Sequence, residues 1–246
     1  MHIHLHLHNF SDVARGAAAR DDGSVYADLG TLVHDVLERF LDPEASEPRT
    51  AERLFEIADA CWRDDIARYR PQLEEARRDY IDMLTLWWEK EGSLATGGPE
   101  VLDTERAFDI NVGAHRIIGR IDRVDRADDG VGIRVVDYKT GRRMVRVEDM
   151  PDDLQLATYH LAATRDPALA AWGPATQLRL LYLRRMEARE QEIRPDHAAV
   201  TEARILATAE QIVAEAFAPS VDADCDHCDF HRLCPLWPEG REVGDE

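Results

Sequence analysis

The chain has 246 residues, 44% of them hydrophobic, enough to bury the core of one large domain or of one domain with a small appendage. It contains no uninterrupted apolar run of membrane-spanning length, and its N-terminus lacks the charged-then-apolar order of a signal peptide, which points to the cytoplasm. A formal net charge of -19 argues against phosphate binding by the surface as a whole and confines any such role to a local basic rim.

At the N-terminus His2, His4, His6 and His8 alternate with Ile3, Leu5 and Leu7. The pattern is open to three readings: a strand with a histidine face, a metal-binding tract, or an appended tag or misplaced start. Residues 1–28 therefore stand outside the predicted fold. From Leu29 the apolar residues Leu29, Val33, Val36, Leu37 and Phe40 keep helical spacing and stop near Pro43, with His34 and Glu38 on a neighbouring stripe. Helices are predicted from about Thr50 to Tyr69 and from about Pro71 to Trp88, an antiparallel pair closed by Gly92, Gly97 and Gly98. Strands follow at Val101 to Ile110, Ala114 to Asp125 and Val131 to Tyr138. A helix from about Asp152 to Thr164, strands at Gln177 to Arg184 and Ala188 to Ile193, and a helix from His197 to Ala216 complete the order. This predicts an α/β fold over residues 29–220, a mixed central sheet flanked by helices, with a helical insertion at 44–92 and a Cys-rich tail at 221–246.

The strands around Asp128-Asp129-Gly130 carry the chemistry. A two-residue turn at positions 129 and 130 makes cross-strand partners sum to 259, which sets Asp122 opposite Asp137 and Arg120 opposite Lys139. Side-chain alternation then puts all four on one face. Facing carboxylates pack badly unless a cation lies between them, and a hard divalent ion fits. A surface salt-bridge ladder of Arg120 with Asp137 and Asp122 with Lys139 is the alternative. Lysine is itself a signal here, because among 30 basic residues only Lys90 and Lys139 are lysines. A compact ammonium suits stabilising a phosphorane-like transition state or orienting water. Asp137-Tyr138-Lys139 thus reads as a metal-dependent phosphodiester-cleaving site. Gln155 and Tyr159, four residues apart, share one face of the helix that Gly141 delivers from this strand end; a surface amide over a half-buried tyrosine is the alternative. Arg134, Lys139, Arg142, Arg143 and Arg146 supply the basic rim, and Arg120, Arg142 and Arg143 are candidate DNA contacts.

Near the C-terminus Cys225, Cys228 and Cys234 have C-x2-C-x5-C spacing, which in a cytosolic chain means a metal or cluster site rather than disulfides. Zinc, with His227 or His231 as fourth ligand, and an iron-sulfur cluster both fit. The distant Cys61 lies among Leu54, Ile57 and Ala58 and reads as a small core residue.

Five segments together resemble the RecB-type nucleases of the PD-(D/E)XK superfamily: Gly30-x3-His34, Gly119-Arg-Ile-Asp122-Arg-Val-Asp125, Val136-Asp137-Tyr-Lys139-Thr-Gly141, Leu154-Gln155-x3-Tyr159 and the cysteine run. The likeness spans Gly30 to Pro235 and is nearest to the cluster-bearing branch of AddB- and AdnB-type nuclease domains and stand-alone RecB-family exonucleases. It implies that His34, Asp122, Asp137 and the Tyr138 carbonyl hold Mg2+ or Mn2+. Asp122, Asp137 and Lys139 are then catalytic, with Gln155 and Tyr159 supporting the site and contacting nucleic acid. It also implies a [4Fe-4S] cluster on Cys225, Cys228 and Cys234, DNA as substrate and a helicase as partner. That branch takes its first cluster ligand from a Cys-Pro pair before the Gly-x-x-x-His helix. No cysteine precedes Gly30 here, so the fourth ligand lies between an upstream segment, Cys61, His227 and His231. A non-catalytic DNA-end or partner-binding module is the competing class; retention of every motif favours the enzyme.

Overall fold

The computed structural model of the chain describes residues 4–7, 23–67, 69–92, 98–216, 218, 219, 234 and 236. In chain order these form β1 (His4–Leu7), α1 (Gly23–Leu41), α2 (Ala51–Cys61) and α3 (Arg70–Glu91). The hairpin β2 (Val101–Val112) and β3 (His115–Arg126) follows, then β4 (Ile133–Lys139), α4 (Leu154–Arg165), the single turn α5 (Pro167–Ala170), β5 (Ala175–Tyr182), β6 (Glu187–Gln191) and α6 (His197–Val213). Among the described residues no helix is long and apolar enough to cross a membrane.

Boundaries follow local chemistry. α1 starts well before the predicted Leu29, because its buried stripe reaches back to Val25. Thr50 caps α2 by accepting the Arg53 N–H at 3.2 Å. The helix predicted over 50–69 breaks at Trp62, which turns extended and packs its ring 5.2 Å from Tyr80; only a 3-10 turn at Asp64–Ile66 continues it. α3 opens with Pro71, where the missing N–H has no partner to lose. Asp153 caps α4 through the Leu156 N–H, and Asp166 caps the unpredicted α5 through Ala168 and Leu169. α2 and α3 meet where the Tyr80 hydroxyl donates to the Ala58 carbonyl at 2.9 Å and Arg77 pairs with Asp59, rather than along their lengths; both pack on α1.

The sheet is mixed. β2, β3, β4, β5 and β6 lie side by side, with β4 and β5 parallel and the other neighbours antiparallel. The helix-bearing crossover through α4 and α5 is what a parallel β4/β5 pair requires. β1 runs parallel to β3, His4 against Arg116 through Leu7 against Gly119, so the segment set aside in the sequence reading contributes a strand. One core lies between α1, α2, α3 and one sheet face, holding Leu37, Trp87, Val136 and Tyr138. The other holds Phe108, Ile121, Val135, Leu156 and Ile205 against α4 and α6. The mixed sheet flanked by helices matches the predicted fold class. The Cys-rich tail assigned to 221–246 lies outside the described residues except Cys234 and Leu236.

The β3–β4 register also follows the predicted sum, with Arg123 against Val136 and Asp125 against Arg134. Its turn differs from the one predicted. Ala127 accepts the Gly130 N–H, so Asp128 and Asp129 occupy the corner and Gly130, at φ +70, leaves it left-handed. The Asp129 carboxylate takes the N–H groups of Val131 and Gly132. Ala127 pairs with Gly132, so the loop of residues 128–131 has the same centre as the predicted turn, which preserves the sum.

Beside the first core lies a buried ionic chain. Arg123 donates to Asp125 at 3.1 Å, to the Tyr138 hydroxyl at 2.9 Å and to Glu91 at 3.0 Å, and both Arg123 and Asp125 are 0% exposed. Removing the cation strands a desolvated carboxylate. Arg123→Met is therefore expected to cost about 3–5 kcal/mol, read as a lowered urea midpoint, and Arg123→Met/Asp125→Leu to recover part of it. Equal midpoints for wild type and the single variant would refute this.

Candidate active site

The inner edge of β3 is shared: β1 pairs with residues 116–119 and β4 with 123–126. Between them residues 120–122 have no strand partner on that edge among the described residues. At this gap Asp122 turns its carboxylate to the Tyr138 amide, accepting its N–H at 2.6 Å. In an extended strand the N–H and C=O of one residue leave on the same edge, so the Tyr138 carbonyl also faces β3.

Alternation slips by one step here. Ile121 and Val124 pack in the same core, although residues three apart in a regular strand face opposite ways. In the β2–β3 register, which pairs Thr104 with Arg123 and Arg106 with Ile121, the place opposite Asp122 belongs to Glu105, at φ +46. A side chain in that region is strained, and here the strained residue sets its carboxylate 3.8 Å from His34. The slip corrects the predicted single face. Arg120 points toward α1, where its charge acts on Glu38, whereas Lys139 lies on the α4 side, bonded to Gln155. Neither is the other's strand partner; Arg120 pairs with Ala107.

α1 supplies the imidazole. His34 Nδ1 stands 3.6 Å from Asp122 Oδ2 and 3.8 Å from Glu105 Oε1, its ring edge-on to Tyr138 at 5.8 Å. The helix comes this close because Gly30 faces Thr140: a Cβ there would meet the hydroxyl at 2.9 Å. On the α4 side, Asp137 is fully buried. Its Oδ1 accepts from Gln155 Nε2 at 2.7 Å and from the Tyr159 hydroxyl at 3.3 Å, and its Oδ2 lies 2.8 Å from Lys139 Nζ. Gln155 closes the ring, accepting from Lys139 at 2.7 Å and donating to Tyr159 at 2.8 Å.

Burial works against the His34 cation, but Asp122, Glu105 and Asp137 outweigh it and raise the imidazole to about 9. Burial, opposed by His34 and reinforced by Asp137 and Glu105, pushes Asp122 up to about 7. Lys139 is likewise raised despite burial, held by Asp137, and burial raises Tyr159 well above the ordinary phenol range. Ligand atoms of His34, Glu105 and Asp122 all lie within 4.8 Å of one another. One imidazole and two carboxylates at that spacing fit a divalent cation, which would also relieve the crowding of like charges.

Glu105 was absent from the sequence reading, although the signal was there: the turn after Val112, with Gly113 at φ +59, fixes a second register that sets Glu105 across from Asp122. Tyr159 is 1% exposed and packs edge-on against Phe108, so the nucleic-acid contact expected of it has no surface to be made with. Arg134 is buried at the far end of β4 on Asp128 and Gln177, outside the predicted rim. Arg146 pairs with Asp149, while Arg142 and Arg143 lie exposed just past the strand end. Cys225 and Cys228 lie outside the described residues, Cys234 is half-buried and Cys61 is buried as predicted.

The family model of the PD-(D/E)XK nuclease superfamily matches residues 8–235. No curated protein matches the chain. Among solved structures, one described as "Crystal structure of SSO0001" aligns at 20% identity over 84% of this chain and 95% of that chain, with a TM-score of 0.39.

Both raised pKa values belong to groups that bind protons more tightly folded than unfolded. The stabilising His34 charge is complete below its unfolded value and lost as pH rises through about 9, and ionising Asp122 costs stability as pH rises toward about 7. A cation needs both groups deprotonated. Metal-free protein should thus melt lower as pH rises from about 6 to about 9, while Mn2+ raises the melting temperature more at the higher pH. Glu105→Gln should shrink that rise. Equal metal-induced shifts at both pH values would contradict this, and differential scanning fluorimetry suffices to decide.

Proposed function

We propose that this chain, which belongs to the PD-(D/E)XK nuclease superfamily, is a Mg2+- or Mn2+-dependent deoxyribonuclease of the RecB type, an exonuclease of DNA repair or recombination in the cytoplasm. One juxtaposition carries the reading: at the end of β4, Lys139 and Asp137 lie beside the Asp122 gap, across from His34 and Glu105. A divalent ion held by His34, Glu105 and Asp122 would polarise a phosphodiester oxygen and lower the pKa of a bound water. Asp137 and the Tyr138 carbonyl complete the ligand set that the resemblance implies.

The remaining work falls to the chain's own groups. Lys139, kept protonated by Asp137, offers a fixed ammonium to the charge that builds on the phosphate as the attacking oxygen bonds to phosphorus. Gln155 holds both members of that pair at once, so neither must reorganise. Tyr159 secures Asp137 from the core side. Arg120, Arg142 and Arg143 are proposed DNA contacts, with a helicase as partner. The spacing of Cys225, Cys228 and Cys234 fits a metal or cluster site, and the family resemblance favours a [4Fe-4S] cluster there, with zinc as alternative.

Incubating labelled linear DNA with the purified chain and Mn2+ tests the assignment. Cleavage should stop with chelator, fall about a hundredfold or more in Lys139→Ala, and fall similarly in Asp137→Asn, with both variants folded by circular dichroism. Cleavage that survives chelation, or an undiminished Lys139→Ala, would end the reading. Anaerobically purified protein is expected to contain iron and sulfide, and freely alkylated thiols with neither iron nor zinc would remove the cluster proposal.

A further inference from the structure

Tyr26, Gly30 and His34 follow one another at four-residue intervals and form one row on α1. His34 ends the row at the candidate active site, and Gly30 passes beneath Thr140. Tyr26, about 12 Å along the helix from His34, keeps 41% of its surface exposed. The guanidinium carbons of Arg142 and Arg184 lie 5.8 and 5.9 Å from its ring centre. Arg184 is fixed, donating from Nε to the Thr140 carbonyl at 2.6 Å and from a terminal nitrogen to Asp79. Arg142 is 66% exposed and reaches the same Asp79 at a looser 3.5 Å. Together with Arg185 these arginines line a cleft of about 250 Å³ beside Gly141, two residues beyond Lys139. The cleft sets three cations against one lining acid, and the exposed Tyr26 ring stands beside it against two of them, in a chain of net charge -19.

We infer that this cleft binds the nucleotide flanking the cleaved bond in a single DNA strand, its base stacked on Tyr26 and its phosphate held by Arg142 and Arg185. The inference deepens the nuclease reading and rests on it. Arg142 holds Asp79 and Glu75 only loosely, at 3.5 and 3.9 Å, so phosphate can take their place, and Asp79 keeps Arg184, which stays tied and holds the platform in place. Bases inside a duplex are already stacked on their neighbours and offer Tyr26 no face; those of a single strand do. Stacking needs the ring and not the hydroxyl.

Fluorescence anisotropy in chelator, with a labelled oligo(dT) strand and a blunt duplex of equal length, tests this without cleavage. Tyr26→Ala should weaken single-strand binding about tenfold and duplex binding by less than about twofold, with Tyr26→Phe matching wild type. Single-strand binding unchanged in Tyr26→Ala, an equal loss on both substrates, or a wild type that binds neither would overturn the inference. Adding Mn2+ to the same samples separates the two readings. Tyr26-dependent binding without cleavage would sink the nuclease reading and leave the binding site standing. Cleavage with Tyr26-independent binding would do the reverse.

Discussion

A backbone N–H that a neighbouring strand would ordinarily satisfy is satisfied here by a carboxylate: Tyr138 donates to Asp122 where β3 has left β4. An unsatisfied amide at a buried strand end costs about 1–3 kcal/mol. The bond therefore fixes both partners, holding the end of β4 in line and Asp122 in the plane of the sheet. From that fixed strand end Asp137 and Lys139 project onto the α4 side, and Thr140 meets Gly30 of α1. Loss of the Asp122 oxygen would loosen the platform as well as the ligand set.

The gap in the β3 edge also lets groups from both sheet faces converge. His34 and Glu105 approach from the α1 side, and Asp137, Lys139 and Gln155 from the α4 side. Each side carries its own cation: His34 answers Asp122 and Glu105, and Lys139 answers Asp137. The raised imidazole would thus stand in for the proposed cation and would give up its proton if that cation bound. Lys139 is held on the other side by Asp137 and Gln155, outside the cluster of His34, Glu105 and Asp122.

Much of this was legible in the sequence. The sum of 259 survived a wrong turn because a register depends on the turn's centre and not its length. The α/β class, the shared face of Asp137 and Lys139 and the Gln155–Tyr159 stack needed only strand alternation and helical spacing. What failed did so where a local backbone state overrode the periodicity. Glu105, left-handed opposite Asp122, shifts the alternation by one, so counting through that point misplaces Arg120. Tyr159 looked available to substrate because spacing tells which helical face a residue shares but not what covers that face; Phe108 does. The histidine alternation at the N-terminus admits a strand among its readings, and residues 4–7 form one, although the segment stood outside the predicted fold.

Glu105 carries one more consequence. The left-handed region costs a side chain about 1–2 kcal/mol, which glycine escapes. At this position the backbone favours glycine, whereas the proposed cation would need a carboxylate, and a carboxylate is what the chain carries. Selection on heat resistance alone would drift toward Gly at position 105 and report an improvement, while selection on turnover would reject the same variant. The two screens would rank it in opposite order, with no other residue needing to change.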